Sequence, residues 1–365
     1  DLQFLLPTAK MSFKMLDFNV YGELSPAPNS LGTRLPNLVS NLALKNYDVM
    51  AFQELYLPHT RAELCNQEEY HVMGAHHFFP SMSLMSYMPS LFLYCFVRLI
   101  FMRSVTTSAL AGISISPPAI LLFFKLLILS LPFISDLPAA EKMSFLERLR
   151  LDFMGSAIFF KKDKFRDFKK IMVVPFEDKI RGYPTPEFSF TSLGGWILFY
   201  IQHTFFRPGF LMGMATHTQS DKKVLIVNSH LVLGFPNHHR TQQVKLILEE
   251  INKVAQEECI DCCVLCGDFN APPHDPAFDA IRSEKFLDCA MLILKGENSG
   301  TQVCDNPLVT DDGSEFGSRN NRIDFVWVKT FGPINQLVTE CMSCKTVFDL
   351  KDPIGIMSDH FGIEA

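Results

Sequence analysis

Residues 262–273 read CCVLCGDFNAPP, an apolar run that ends in Gly267, Asp268 and Asn270 and then meets two prolines. Such a run predicts a buried strand that carries an acid and an amide to the rim of a sheet, where the ligand sites of α/β proteins lie. A Gly-Asp-x-Asn segment is also an ordinary turn sequence, so this motif alone leaves a plain turn and a functional site as alternatives.

Other segments of the chain repeat this pattern of an apolar run with a polar side chain at one end. The polar residues are Asn19 in MLDFNV, Glu54 after VMAFQ, His230 at the end of VLIVNSH, Asp324 in RIDFVWV, and Asp359 with His360 in MSDH. Each one alone has an ordinary explanation as a turn cap, a solvated strand end or a half-buried histidine. Their combination and order favour a functional site.

The order of these motifs resembles the endonuclease/exonuclease/phosphatase superfamily over residues 13–362, with a gap at about residues 70–150. Its members include deoxyribonucleases, abasic-site endonucleases, deadenylases, inositol polyphosphate 5-phosphatases and neutral sphingomyelinases. The resemblance implies an α/β fold, a four-layer α/β sandwich of two mostly antiparallel sheets with helices outside. The residues themselves indicate short apolar strands alternating with helices at residues 31–45, 240–255 and 276–284.

The resemblance also implies a metal site for phosphate-ester hydrolysis. That reaction needs charge neutralised on the phosphoryl oxygens, an oriented water and a way to handle the leaving oxygen. Mg²⁺ suits the first task because it binds a few protein oxygens and keeps several waters. By the resemblance, Glu54, Asn19 and Asp359 are expected to hold it.

Five residues are expected to be catalytic by the same resemblance. Asp268 orients or activates the water, Asn270 donates a hydrogen bond to the phosphate, and His230 contacts the phosphate or protonates the leaving group. Asp324 binds one ring nitrogen of His360 and sets its tautomer. The division of proton transfer between Asp268 and His360 stays open.

Two further features match or depart from the family pattern. Arg240, Gln242 and Gln243 open a predicted helix, and we expect them to hold the catalytic loop rather than react. Phe18 stands where many relatives carry a tryptophan before the asparagine, a change of volume that should leave the metal site intact.

The charge balance argues against a protein that grips nucleic acid. The chain has 39 acidic and 33 basic residues and a formal net charge of −6. The basic cluster within residues 161–170 is either a phosphate-tracking patch or a solvated strand edge, and we favour the edge. Nucleic-acid binding proteins usually carry a basic footprint near the site, so nucleic acid is not the expected partner.

Apolar residues are concentrated in residues 78–138. The chain has 34 Phe and a mean hydropathy of +0.13, which is high for a chain with 20% charged residues. The runs at residues 78–102 and 119–134 are short for bilayer-spanning helices, which need roughly 20 apolar residues. Two transmembrane helices and a buried hairpin are alternatives, and we favour a helical hairpin that lies in or on one leaflet.

A second apolar stretch, residues 196–212, is either part of the core or an aromatic rim beside the site. We expect the residues that contact the membrane to be Phe92, Leu93, Phe96, Leu122, Phe123, Phe124 and Trp196. The partner is then a membrane lipid and the bilayer surface.

These features together predict a sphingomyelinase-like, magnesium-dependent phosphodiesterase that releases the head group of a membrane lipid. Residues 207–209 read RPG where several sphingomyelinases carry a lysine and a glycine, so choline specificity is not implied. The alternatives are a phosphoinositide phosphatase, although its usual signatures are missing at residues 268–271 and 321–324, or a nuclease. From a different class, the alternative is a membrane-docked scaffold without activity.

Cysteine usage bears on the compartment. Ten cysteines without the spacing of a small disulfide-rich domain indicate free thiols in a reducing compartment, with a zinc site as the alternative. No signal peptide is visible in residues 1–10. Because free thiols indicate a reducing compartment, we expect association with a membrane on its cytosolic face. We expect one catalytic domain, residues 1–365. Secretion or delivery to another cell and the oligomeric state stay open.

Overall fold

The computed structural model describes residues 11–20, 31–55, 64, 68–74, 155–176, 180, 209–232, 237–293, 300–302, 321–331, 343–348, 358 and 360–365. They belong to one compact unit made of Asp1–His76, Met154–Tyr183 and Pro208–Ala365. The second unit comprises His77–Phe153 and Pro184–Arg207 and lies outside the described residues, as does the predicted apolar insertion at residues 78–138.

The described residues form twelve strands. In chain order they are β1 (Met15–Asn19), β2 (Val49–Gln53), β3 (Tyr70–Met73), β4 (Ala157–Lys161), β5 (Phe165–Pro175), β6 (Gly209–His217), β7 (Lys222–His230), β8 (Cys262–Asp268), β9 (Leu287–Asp288), β10 (Asp324–Thr330), β11 (Lys345–Val347) and β12 (Gly362–Glu364). The central strands are rich in Val, Ile, Leu and Phe and are almost fully buried, as expected for strands covered on both faces.

The strands form two six-stranded sheets. Sheet 1 has the order β11-β12-β1-β2-β4-β3, and sheet 2 has the order β5-β6-β7-β8-β10-β9. Each sheet contains one parallel pair, β1 with β2 and β7 with β8, and all its other pairs are antiparallel. Because parallel strands end at the same edge, the polar ends of β1 and β2 lie side by side, as do those of β7 and β8.

Four helices complete the described unit: α1 (Leu31–Lys45), α2 (Asn237–Glu258), α3 (Ala277–Ser283) and α4 (Cys289–Ile293). The three helices expected from the sequence correspond to α1, α2 and α3, with ends that agree to within three residues. Within the described part of the chain, no helix is long and apolar enough to cross a membrane.

Three apolar clusters show the order of the layers. Leu35, Leu38 and Leu42 of α1 pack on one face of sheet 1. A second cluster fills the space between the two sheets, and a third joins the other face of sheet 2 to Val244 of α2 and Phe278 of α3. The layers therefore run helix, sheet, sheet, helix, which confirms the predicted four-layer α/β sandwich.

Gly267 is required by the close approach of β7 and β8 at the site end. It has φ +131°, and a Cβ atom placed there would lie 1.9 Å from the carbonyl oxygen of Ser229. An L-residue rarely adopts this backbone conformation, and the clash is with backbone that cannot move aside. The glycine before Asp268 is therefore part of the architecture that presents this acid.

Candidate active site

The central strands each bring one predicted site residue to the same edge. In sheet 2 the register aligns His230 with Asp268, and Asp268 with Asp324. In sheet 1, Asn19 is the last residue of β1 and Glu54 directly follows β2. The Asn19 side chain donates a hydrogen bond of 3.1 Å from Nδ2 to Asp268 Oδ2, so the two sheet edges meet at one site.

Asp268 lies at the centre of this site and is only 2% exposed. Its Oδ1 accepts a hydrogen bond of 2.8 Å from the backbone N–H of Asn270. The Nε2 atoms of His230 and His360 lie 3.5 and 3.9 Å from its Oδ2. One carboxylate oxygen therefore faces the Asn19 amide and two imidazoles, an arrangement suited to orienting a water and moving its proton.

The environment of Asp268 changes its proton affinity. Burial, followed by the negative charge of Asp324, raises the pKa of Asp268 above its ordinary value, while His360, His230 and the N–H of Asn270 act in the opposite direction. A carboxylate with a raised pKa is a stronger base once it is ionised. A reaction that needs the ionised form therefore loses rate as the pH falls through this raised pKa.

Asp324 and His360 form a buried pair beside Asp268. The Nδ1 atom of His360 lies 2.8 Å from Asp324 Oδ2, and both side chains are almost fully buried. In the tautomer in which Nδ1–H donates to this carboxylate, the unprotonated Nε2 points toward Asp268. The contact predicted between Asp324 and a ring nitrogen of His360 is present.

Two site residues have backbone conformations that are uncommon outside glycine. Glu54 has φ 61° and Asn270 has φ 47°. Strain of this kind is concentrated at functional sites, where the surrounding structure holds it. Glu54 Oε1 accepts from Asn19 Nδ2 at 3.0 Å, and Asn270 Nδ2 donates to the carbonyl of Leu231 at 2.8 Å. An amide group has two N–H donors, so the predicted bond from Asn270 to phosphate would use the second.

Arg240 and Gln243 hold the loops that carry the site. Arg240 donates from Nε and Nη2 to Asp275 Oδ2 at 3.1 and 2.8 Å, and both side chains are buried. The other oxygen of Asp275 accepts from the backbone N–H of Ala277 at the start of α3. Gln243 Oε1 accepts from the backbone N–H of Val232 at 3.2 Å, two residues after His230. These contacts match the supporting role expected from the sequence.

The donor atoms at the site fit a hard divalent cation. One ligand atom each from Glu54, His230 and Asp268 lie within 4.8 Å of one another, and the same holds for Asp268, Asp324 and His360. Carboxylate oxygens that converge on a rim are the ligands that Mg²⁺ prefers. Asn19 turns Nδ2 toward Glu54 and Asp268, so its predicted ligand role would use Oδ1 and stays a prediction.

The Glu54→Gln variant tests the metal site. Glutamine keeps the shape of the side chain but removes its charge, so we expect half-maximal hydrolysis to need about tenfold more Mg²⁺. The measurement is initial rate against Mg²⁺ concentration with a soluble phosphodiester. Glu257→Gln, at an exposed position of α2, is the matched control. An unchanged metal dependence in Glu54→Gln would remove Glu54 from the site.

Some predicted residues lie outside the described residues. These are Asp359 and all the predicted membrane contacts, namely Phe92, Leu93, Phe96, Leu122, Phe123, Phe124 and Trp196. Their roles stay predictions.

Several supporting residues were not assigned a role from the sequence. Thr301 Oγ1 accepts hydrogen bonds from the backbone N–H groups of Ile323 and Asp324, at 3.0 and 3.2 Å, and so fixes the start of β10. Ser358 donates to the carbonyl of Asn19 at 2.7 Å and accepts from the N–H of His360 at 3.2 Å. The only signal for Ser358 was its place in the Ser-Asp-His motif.

Three further supporting residues, Asp17, Gln53 and Asn228, precede the site residues on β1, β2 and β7. All three side chains are fully buried. Burial, followed by the negative charge of Asp324, raises the pKa of Asp17 well above its ordinary value. For Asp17 and Asn228 the signal in the sequence was a polar residue two positions before a site residue, because it shares that residue's face of the strand.

The basic cluster at residues 161–170 is largely paired with neighbouring groups. Arg166 pairs with Asp167 and Asp221, and Lys169 pairs with Glu258. Lys161 ends β4 at the edge opposite the site, since Ala157 at the other end pairs with Phe52 beside Gln53. The cluster therefore resembles the solvated strand edge that we favoured.

The cysteines give no sign of a thiolate metal site in the described residues. Cys259, Cys262, Cys263 and Cys266 are free, and among the described residues the groups with metal-ligand spacing contain carboxylates and imidazoles only. Burial raises the pKa of Cys262 to about 12 and that of Cys263 and Cys266 well above the ordinary value. Such thiols stay protonated and behave as apolar core residues.

Comparison with known proteins identifies the family. A search of curated protein sequences found no match. Among solved structures, a humanized D. rerio TDP2 is 15% identical with a TM-score of 0.53, covering 96% of this chain and 97% of that one. An endonuclease/exonuclease/phosphatase from Bacteroides vulgatus is 16% identical with a TM-score of 0.53, covering 98% of each chain. The Bacteroides thetaiotaomicron mannosyl-6-phosphatase is 14% identical with a TM-score of 0.50, covering 97% of this chain and 98% of that one.

At these identities the structural likeness shows the fold. The model of the Endonuclease/Exonuclease/phosphatase family matches residues 18–360, which is most of the chain and includes every described site residue. The predicted superfamily is confirmed, and the sphingomyelinase-like subgroup stays a prediction. This chain belongs to the endonuclease/exonuclease/phosphatase family, whose members act on phosphate esters.

Proposed function

We propose that this chain is a magnesium-dependent phosphodiesterase that hydrolyses a membrane lipid and releases its phosphorylated head group. The observation that carries the reaction class is the convergence of Asn19, His230 and His360 on one oxygen of the buried Asp268, with Glu54 beside them. These groups can bind a cation, orient a water and transfer protons around one phosphate.

Each of these residues has a separate role in the proposed hydrolysis. Ionised Asp268 orients the attacking water and accepts its proton, with His360, held by Asp324, as the second proton acceptor. His230 lies on β7, the neighbour of β8 on the side away from Asp324, and protonates the leaving oxygen. Glu54, with the predicted ligands Asn19 and Asp359, would hold Mg²⁺, which would neutralise charge that develops on the phosphoryl oxygens.

The lipid substrate is supported by where the apolar segments are attached to the described unit. Met73 pairs with Ile158 and Ala157 pairs with Phe52, so the chain that flanks residues 75–154 ends at the edge of sheet 1 that carries Glu54. In sheet 2, Pro175 pairs with Gly209, and Gly209 pairs with His230. The chain that flanks residues 181–208 therefore ends at the edge of sheet 2 that carries His230. Both attachments lie at the site end.

The test is head-group release from mixed liposomes of sphingomyelin, phosphatidylcholine and phosphoinositides in the presence of Mg²⁺. We expect phosphocholine release by the wild-type chain, and no release by Asp268→Ala. A plasmid-nicking assay runs beside it with the same two proteins.

Three outcomes would redirect the proposal. Inorganic phosphate released from phosphoinositides would make the chain a phosphoinositide phosphatase. Nicked plasmid with unreacted liposomes would make it a nuclease. Binding to liposomes without turnover of any substrate would favour the non-enzymatic scaffold.

A further inference from the structure

The space between the two sheets changes from apolar to polar along every central strand. On β7 the residues that face this space are Val224, Ile226, Asn228 and then His230 at the site. The same alternation gives Met15, Asp17 and Asn19 on β1, and Cys262, Val264, Cys266 and Asp268 on β8. A polar layer made of Asp17, Gln53 and Asn228 thus lies directly beneath the reactive groups.

This polar layer links the two sheets by hydrogen bonds. Gln53 Nε2 of sheet 1 donates to Asp17 Oδ1 at 2.9 Å and to Asn228 Oδ1 of sheet 2 at 2.7 Å. In return, Asn228 Nδ2 donates to the carbonyls of Phe52 and Ala157 on sheet 1, at 2.8 and 3.1 Å. Three hydrogen bonds therefore cross between the sheets at Asn228 alone.

These bonds differ in kind from the apolar contacts between the sheets. Gln53 and Asn228 have no exposed surface, so water cannot replace a lost partner. The apolar side chains between the two sheets attract one another without directional preference, whereas hydrogen bonds have narrow limits of distance and angle. The amide pair is therefore what can set the separation and lateral position of one sheet relative to the other at this level.

The site depends on that separation because it is divided between the sheets. Glu54 directly follows Gln53 on sheet 1, while His230 lies two residues beyond Asn228 on sheet 2. Donor atoms of Glu54, His230 and Asp268 lie within 4.8 Å of one another. A displacement of about 1 Å within a catalytic arrangement can cost about 100-fold in rate.

We propose that Asn228, together with Gln53, is a positioning residue that holds the two halves of the active site at their working distance. The proposal rests on the phosphoester hydrolysis proposed above for its activity measurement, but the geometry of the amide pair is independent of the substrate. If Asn228 has this role, a substitution at Asn228 should lower metal affinity and kcat more than an equally destabilising substitution elsewhere between the sheets.

Asn228→Asp is the decisive variant. The aspartate has the same shape and still accepts from Gln53, but it loses both donors and faces the carbonyls of Phe52 and Ala157. We expect kcat on bis(p-nitrophenyl) phosphate to fall about 10- to 100-fold, with Mn²⁺ affinity, titrated calorimetrically without substrate, at least about tenfold weaker. Mn²⁺ serves as the probe because it takes the same oxygen ligands as Mg²⁺.

Val224→Ala is the matched control. Val224 is fully buried on the same face of β7, four residues below Asn228 and away from the site. Its truncation should lower the melting temperature and leave kcat and Mn²⁺ affinity within about twofold of wild type, since cavities destabilise without moving a distant site. Gln53→Met, which has no donors, should reproduce the Asn228→Asp result and replaces it if the aspartate variant does not fold.

The outcomes separate this inference from the proposed function. An Asn228→Asp protein, or the Gln53→Met protein in its place, with wild-type kcat and Mn²⁺ affinity would overturn the positioning role, whatever its melting temperature. A wild-type chain that binds Mn²⁺ but hydrolyses neither lipid nor diester would count against the proposed function alone. In that case, weaker Mn²⁺ binding by Asn228→Asp with normal binding by Val224→Ala would still support the positioning role.

Discussion

Replacing Asp268 with asparagine is expected to reduce kcat about 1,000-fold or more while leaving the protein folded. Asparagine has the same shape, but it cannot accept a proton from water and carries no charge to attract a cation. Burial raises the pKa of Asp268, which means that the ionised form is disfavoured in the folded chain. Removing that charge should therefore leave the melting temperature at neutral pH equal to or above that of wild type.

The direction in which stability changes with pH follows from the linkage between protonation and folding. A carboxyl group whose pKa is higher in the folded chain than in the unfolded chain makes the protein less stable as the pH rises through the interval between the two values. Wild type should show this loss and Asp268→Asn should show less of it. Asp279→Asn, at a 78% exposed side chain on α3, is the control for removal of an acidic group. Substantial turnover by Asp268→Asn would contradict the central role of this residue.

The strands and helices that carry the site could be predicted from the sequence because each is a strong local pattern. The run at residues 262–268 is β8, and the helix expected at residues 31–45 is α1 with the same bounds. Asp324 opens β10, as its place before an apolar run indicated. Local periodicity and strand-end polarity were sufficient for these elements.

The order of the strands could not be obtained in this way. Neighbours such as β1 and β12 are separated by more than 300 residues, and nothing in either segment specifies the other. The family resemblance supplied the two-sheet architecture. The paired register of His230, Asp268 and Asp324 is a consequence of that architecture and became visible only in the structure.

The residues beneath the site were missed for a related reason. Asp17 and Asn228 each interrupt an apolar strand, and a buried polar residue requires a partner. Their shared partner, Gln53, lies on a different strand, and for Asn228 it lies on a different sheet. A polar residue at position i−2 from a predicted site residue is the sequence feature that can reveal such a supporting layer, because both side chains face the same side of the strand.

Replacing Asp324 with asparagine is expected to reduce kcat about 100- to 10,000-fold, the range for loss of a carboxylate that orients a histidine in proton transfer. In wild type, Asp324 Oδ2 lies 2.8 Å from His360 Nδ1. An amide nitrogen in place of this oxygen can donate to Nδ1 and so favours the His360 tautomer with the proton on Nε2. That proton would face Asp268, and His360 could no longer accept one from the direction of the water.

The pH profile separates this positioning role from a purely structural one. The charge of Asp324 raises the pKa of Asp268, so its removal should lower that pKa toward the ordinary value. We therefore expect the acidic limb of the residual rate of Asp324→Asn to move to lower pH than that of wild type, at the same Mg²⁺ concentration. Thr301→Val, which removes the hydroxyl that holds the backbone of Asp324 but keeps the carboxylate, is the control and should lower the rate without moving the limb. A limb that stays in place in Asp324→Asn would mean that Asp324 and Asp268 do not interact in the working enzyme.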